Sequence, residues 1–540
     1  MHVVALINEA TCFFVYKLRI MLQIDLILTP REASDSSIYL PIAAQKAGIS
    51  ANEITSHAIL RKSVDARGRD IVVNTTLALF LNGEQPEDIA SRYVYNDVSQ
   101  RPKILVAGMG PAGLFAALRI IELGMCPIVI ERGKCVSERK RDIAALNTQH
   151  ILNEDSNYCF GEGGAGTFSD GKLYTRSNKR GDISRILEIF HIHGADSSIL
   201  YEARPHIGTD KLPAIVSSMR QTILKCGGEV KFSTKLTDII TDGNNKVKAV
   251  TLSDGTEIPI DAVILATGHS ADDVYKMLHA KGVKIEAKGF AMGVRVEHPR
   301  ELIDEIRYHK ADTTYLPTAS YNLATQIENR GVYSFCMCPG GQIVPSATSS
   351  GQTVVNGMSA AARRNKWSNS GIVVEIRQED IPGFDTGNPL CGLEYQKEVE
   401  RLTFINGRRN QTAPAQRLTD FIKGRMSNTL PETSYVPGTV ISPVHFWLPE
   451  FISKRLRAGF LEFDKKMRGF VTSEAQVLAS ETRTSSPVRI VRDTEKMCSV
   501  SLCNLFPCGE GAGYAGGIVS SAMDGEKAAA AAVDYINKEV

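Results

Sequence analysis

The chain has 540 residues, of which 43% are hydrophobic and 23% charged. These values are near the globular average, so wholesale disorder, a fibrous repeat and a collagen-like chain are excluded. Its 62 basic and 60 acidic side chains leave a formal charge of +2, too small to draw the protein electrostatically to nucleic acid or an anionic membrane surface. Eleven cysteines with no C-x-x-C spacing are too sparse for a disulfide framework. They fit a reducing compartment, so the expected localisation is cytoplasmic.

The amino-terminal run Val3 to Ile20 is fairly apolar, but Glu9, Lys17 and Arg19 interrupt it. It is read as neither a signal peptide nor a spanning helix, and Met21 is as good a start as Met1. Residues 1–95 read as a small α+β domain. A strand at 22–28 leads to a helix at 37–47 and to strands at 54–61 and 71–81, joined through Ala66-Arg67-Gly68. Arg61, Lys62, Arg67 and Arg69 make this hairpin basic, read as a solvated face. Asn96 to Pro102 is polar, ends in proline and suits a linker.

From Lys103 the pattern becomes α/β. A buried strand at 104–107 runs into glycines, then a long apolar helix, then a strand at 126–130. A helix is expected at 212–226, with strands at 230–232, 236–241, 247–253 and 262–266. From 288 to 469 the pattern is mixed and loop-rich, with strands at 290–296 and 371–376. Short strands return after Ser473, and a last helix carries Ala528–Ala532. The expected organisation is a discontinuous nucleotide domain, 101–286 plus 471–540, with a substrate or cap domain at 287–470 between its halves.

The strongest chemical signal is Gly108-Met109-Gly110-Pro111-Ala112-Gly113, set between a strand and a helix. Gly108 makes the tight turn, Gly110 lets the backbone approach a pyrophosphate, and Gly113 lets the helix pack on the strand. The helix N-terminus, opening at Pro111 and Ala112, then faces the phosphates. Glu131, with Arg132 beside it, ends the next strand and would accept hydrogen bonds from ribose hydroxyls, as in FAD or NAD. Two further strands end in Ala266-Thr267-Gly268 and in Cys508-Gly509-Glu510-Gly511, the latter followed by Gly516-Gly517 and a helix. Between them, the glycine-dense stretch Phe160 to Leu173, with Gly163 and Gly164 at its centre, allows backbone to lie close to a planar ligand.

This order of segments resembles the two-dinucleotide-binding flavoprotein superfamily, which includes glutathione-reductase-like enzymes. The resemblance implies that the acid of the last segment contacts the ribityl chain of FAD. Glu510 stands here where Asp is usual, and the next helix would point its N-terminus at the flavin. The chain is more closely similar to the FAD-dependent dehydrogenase family, also labelled NAD(FAD)-utilizing dehydrogenases. The matching segments are Arg61–Arg67, the 160–173 loop, Gly293–Pro299, Phe335–Gly341, Glu481–Pro487 and Gly509–Gly517. The family implies FAD and redox chemistry without a named substrate.

Other constellations are weaker. Cys336 and Cys338 alternate on a strand, compatible with a strained redox couple or half a metal site, but two buried inert thiols are the expectation. His191 and His193 are expected at the surface. Arg295, His298 and Arg483 are the cationic candidates for holding an anionic substrate or steadying the flavin, with structural ion pairs the competing account. No metal site and no catalytic acid or base is assigned. A second strand–glycine–helix fingerprint for a nicotinamide is not found.

The fold class expected is α/β: a Rossmann-like FAD-binding domain, an inserted mixed α+β domain and a small amino-terminal α+β domain. The expected function is an FAD-dependent oxidoreductase passing a hydride or electron pair between a small-molecule substrate or protein electron partner and the flavin, with no nucleic acid and no membrane. The alternatives are a flavoprotein of RNA modification and a non-catalytic FAD-bound scaffold or sensor.

Overall fold

The computed structural model describes residues 21–68, 70–175, 181–309 and 312–539. The Val3–Ile20 run and Arg69 lie outside them. The chain forms two compact units, one ending at Asp88 and one beginning at Ile89, so residues 89–95 belong with the second unit rather than the first.

In the first unit, Met21–Leu28 and Ile54–Asp65 both pair antiparallel with the central strand Val72–Leu81. Alternate residues Leu26, Leu28, Val73, Leu77 and Leu79 face one side, as a two-residue period requires. There they meet Tyr39 and Ala43 of the helix Ser36–Ala47. Asp35 caps that helix by accepting from Ser37 N, and Gly48, at φ +71, ends it. At the hairpin turn Arg67 folds back onto Asp65, 2.6 Å away.

The second unit is built on a five-stranded, wholly parallel sheet in the order 505–507, 263–265, 103–107, 126–130, 229–231. Its strands are short continuous apolar runs because both faces are covered. Ile104 and Val106 face the helices Pro111–Glu122, Leu212–Lys225 and Ile518–Glu539. Leu105 and Ala107 face a small antiparallel sheet of Leu236–Thr241, Val247–Leu252 and Glu257–Pro259. The first and last helices touch backbone to backbone, since a Cβ on Gly525 would lie 2.1 Å from the Ala112 carbonyl oxygen. The stretch Asn96–Pro102 is anchored rather than free: Val98 is buried and its N–H donates to Cys226 O at 2.8 Å. His193, expected at the surface, is buried, bonded to Ile189 O and Thr222 Oγ1.

The region that reads as mixed and loop-rich contains a seven-stranded sheet. Its order is 324–327, 330–338, 367–376, 290–299, 476–481, 413–417, 439–441. Strand Phe290–Pro299 is buried along almost its whole length because the helix Glu450–Lys466 packs Leu456, Phe460 and Phe463 toward this sheet. Gln476–Glu481 pairs with Phe290–Pro299 and Ala413–Arg417, so the cover extends past the boundary at 470. A six-residue apolar strand carries no local mark of which sheet it will join.

His298 does not serve as a cation. Its side chain is wholly buried, Nε2 lies 2.8 Å from Phe470 O, and its ring centroid is 4.5 Å from that of Phe470. Burial pushes the imidazole down to about 4. A group whose folded pKa lies below its unfolded value stabilises above the unfolded pKa and loses that contribution as pH falls. His298→Gln should therefore flatten the loss of stability between about pH 6.5 and 4, by roughly 3 kcal/mol at the acid end. Urea denaturation of both proteins across this range checks it; parallel curves would contradict the assignment.

Candidate cofactor site

The carboxyl ends of four parallel strands open on one cavity of about 410 Å³. Ala107 and Gly108 stand at the end of strand 103–107, Ile130, Glu131 and Arg132 at the end of 126–130, Ala266 to Ser270 after 263–265, and Cys508 to Glu510 after 505–507. After 229–231 the chain returns to the other side of 103–107, and the cavity lies at this reversal of strand order. Parallel sheets take ligands at such a switch.

The three fingerprint glycines are there for different reasons. Gly108 has φ +104, and a Cβ on it would come within 2.4 Å of the Ala266 carbonyl oxygen. One on Gly113 would lie 1.9 Å from Gly108 O, which is the close helix–strand packing expected, and Gly113 does not line the cavity. At Gly110 the nearest atom to a new Cβ is Gly164 Cα, 3.8 Å away, so the space before it is open. Gly110 is also the N-cap of the Pro111–Glu122 helix, and no side chain caps it. The partial positive charge of that helix end therefore faces the cavity. A second helix arrives in the same way: Gly516 and Gly517 line the cavity immediately before Ile518–Glu539, and a Cβ on either would meet nothing within 4 Å.

The glycine-dense loop is a built wall, not a mobile surface loop. Arg139, wholly buried, donates to the carbonyls of Asn157 at 2.7 Å, Glu162 at 2.8 Å, Gly164 at 2.9 Å and Tyr158 at 3.0 Å, and lies over the Phe168 ring. Burial pulls this guanidinium down to about 10, against the pull of Glu131 and Glu162. Glu162, also wholly buried, accepts from Val136 N and from Arg220 Nε, both at 2.7 Å. Gly163 N donates to Met109 O at 2.8 Å, tying the loop to the fingerprint. Gly164 lines the cavity; Gly163 sits behind it, where a Cβ would strike Thr167 Oγ1 at 1.9 Å.

Glu131 lines the cavity, and its carboxylate holds backbone, accepting from Met109 N, Gly133 N and Gly161 N at 2.8 to 3.0 Å. Arg132 pairs with Asp273 at 2.8 Å over the Phe160 ring. Thr267 and Gly268 line the cavity beside Glu510, which is 3.7 Å from His269 Nδ1. Of the three cationic candidates, only Arg483 lines it, with its charge held by both Glu400 oxygens at 2.9 Å. Arg295 lies a layer back, wholly buried, bonded to Glu481 at 2.7 Å, Asn369 at 2.6 Å and Asn356 at 3.1 Å. His298 is absent from the lining. Sequence reasoning missed Arg139, His269, Asp170 and Lys172; of these only the last three line the cavity. Asp170 and Lys172 stand inside the quoted loop and were legible there; Arg139, within Glu138-Arg139-Lys140-Arg141, looks like part of a solvated charged run.

Arg139→Met should cost roughly 3 to 5 kcal/mol, because four carbonyls lose their donor and Glu162 part of its counter-charge. Arg139→Lys should recover little, since an ammonium cannot reproduce the planar fork. Chemical denaturation measures both. A loss below about 1 kcal/mol for either would mean that the loop holds itself.

Residues 289–484 match the family described as "FAD-dependent protein, C-terminal domain-like", and residues 21–80 match a domain of unknown function. An uncharacterized protein of Clostridium beijerinckii is 40% identical over 507 residues, covering 90% of this chain and 93% of that protein. Among solved structures, a geranylgeranyl bacteriochlorophyll reductase-like protein from Thermoplasma acidophilum has 12% identity and a TM-score of 0.36, covering 81% of this chain and 80% of that one. A flavoprotein/dehydrogenase from Cytophaga hutchinsonii has 11% identity and a TM-score of 0.36, covering 81% and 79%. No described helix is long and apolar enough to cross a membrane. With two fifths of its residues shared across nine tenths of its length, the chain belongs to the same family as its Clostridium relative, and its residues 289–484 match the C-terminal domain of FAD-dependent proteins.

Proposed function

We propose that the chain is an oxidoreductase whose FAD occupies the cavity between the Rossmann-like parallel sheet and the seven-stranded cover, passing a hydride or electron pair to or from a small molecule or protein partner. The observation that carries this reading is the open face of Gly110 on an uncapped helix end, backed by Gly164. A side chain at Gly110 would project into the space that a pyrophosphate needs. The residues present fit FAD. The Pro111 helix end stabilises phosphate charge, and Glu131 keeps acceptor capacity for a ribose hydroxyl beyond its three backbone donors. Glu510, in the cavity lining, would accept from a ribityl hydroxyl, and the Ile518 helix end would stabilise negative charge on an electron-rich ligand.

When bound, FAD supplies the hydride and electron chemistry, and the chain supplies orientation and electrostatics. On the cover side, Phe335, Cys336 and Asn356 line the cavity with Lys172 and Arg483. Lys172 donates to Met337 O, and Arg483 is neutralised by Glu400, so an anionic substrate gains less from Arg483 than a bare cation would give.

Gly110→Val should fold and purify colourless, with its flavin-to-protein ratio reduced at least tenfold. A yellow protein with the wild-type ratio would remove the cradle from this reading. The electron donor is a second test. Gly340 and Gly341 turn directly into strand Gln342–Pro345 instead of opening a helix on a second pyrophosphate. Reduction by NADH or NADPH should therefore be slow and poorly saturable in anaerobic stopped-flow mixing. Fast bleaching of the flavin band that saturates at micromolar nicotinamide would overturn that expectation.

A further inference from the structure

The cover contributes one feature that neither the fold nor the flavin reading uses. On strand Arg330–Cys338, Phe335 pairs with Gly371 and Cys338 with Asn369, so three steps on one strand oppose two on the other. This is a β-bulge, and it falls on Cys336, whose φ is +44. Two Cα atoms two residues apart in a straight strand are separated by roughly 6.6 to 6.8 Å, the outer limit for a disulfide. The bulge bends the strand, and the Cys336 and Cys338 thiols are near enough to shift each other's titration. Cys338 is buried, and its thiol also reaches Cys336 O at 3.3 Å. Cys336 is half-buried and lines the same cavity as Gly110 and Gly164. That cavity reaches the surface at Tyr174, Gly516 and Gly517.

We propose that Cys336 and Cys338 form a dithiol–disulfide couple in the cavity wall, which oxidises a dithiol substrate and hands its electron pair to FAD. The couple stands on the geometry of the two cysteines; its link to FAD rests on the flavin reading of the cavity. The surroundings fix the division of labour. Cys336 has its thiol pulled well down by the neighbouring Cys338 thiol and by the Lys172 and Arg295 cations, against burial and the Asp170 carboxylate. Cys338 is pushed up by the neighbouring Cys336 and by burial. Arg295 NH1 approaches Cys336 O at 3.3 Å and Cys338 Sγ at 4.0 Å, with Glu481 as its counter-charge. A low-pKa thiol is the better leaving group in exchange.

A substrate thiolate attacks one sulfur of the Cys336–Cys338 disulfide; the S–S bond breaks and the buried Cys338 takes up a proton. The second substrate thiol, losing its proton, attacks the substrate sulfur of the mixed disulfide, and Cys336 leaves as a thiolate. The substrate has become a disulfide, and the couple holds its two electrons. FAD, held by Gly110, Gly164, Gly516 and Gly517, would supply the oxidant for that pair and its two protons, and Cys336 and Cys338 would then re-form their disulfide.

The test uses the full-length holoprotein. After incubation in glutathione buffers of graded ratio, free thiols are alkylated at pH 6 and mapped by peptide mass spectrometry. Cys336 should label faster than Cys135, Cys159 and Cys503, the other half-buried cysteines among the described residues, and should be protected, together with Cys338, in a reversible disulfide at oxidising ratios. Anaerobic dithionite titration should consume four electrons per FAD, falling to two in Cys338→Ser with the flavin retained. A yellow protein that takes up only two electrons and never forms the Cys336–Cys338 disulfide would overturn the proposal. The disulfide map of a protein that purifies without flavin still decides the couple, while the missing flavin counts against the cavity reading alone.

Discussion

A guanidinium held out of water organises the cavity. Arg139 satisfies four carbonyls of the 157–164 stretch. A buried charge survives only when it is matched in charge and fully hydrogen-bonded. Glu131 and Glu162 supply the charge; Glu131 spends its oxygens on three backbone N–H groups, and Glu162 divides its own between Val136 N and the Arg220 guanidinium. Glycine, which orders at high entropic cost, is thereby fixed as a wall against which Gly110 leaves an opening. Loop, fingerprint turn and second strand are one electrostatic unit.

The cover is organised by the same device. Arg295 with Glu481, and Arg483 with Glu400, are near-fully buried pairs whose remaining donors reach Asn369, Asn356 and Thr348. Both draw on the segment Glu481–Arg483 that leaves the seven-stranded sheet toward the cavity. Pairs of this kind add little net stability over apolar replacements, while losing one partner is severe, so their role is to fix register and position. The arginines that attract attention in the sequence as ligand-binding cations are thus mostly committed to the protein itself.

What was legible in the sequence follows from how local each constraint is. The fingerprint turn is legible because the positive φ of Gly108 and the contact of Gly113 with Gly108 O are set within a few residues, and the parallel strands because continuous apolar runs such as Ile104–Ala107 need both faces covered. The elements of the first unit also lie within a few residues of their predicted bounds. Arg139 was not legible, since only the fold turns that one member of a charged run inward. The place of Gln476–Glu481 between strands nearly 200 and 60 residues earlier in the chain was not legible either. Nor was the bulge at Cys336, which sets that thiol in the cavity lining with Cys338 buried behind it.

That FAD lies in this cavity is most directly tested by hydrogen–deuterium exchange of the flavin-stripped protein with and without added FAD. Amides of Gly108–Leu114, Gly161–Gly166 and Gly516–Ser521 should slow together on FAD addition, because these segments meet around the cavity from three distant parts of the chain. Protection confined to other segments, with these three unchanged, would contradict the account.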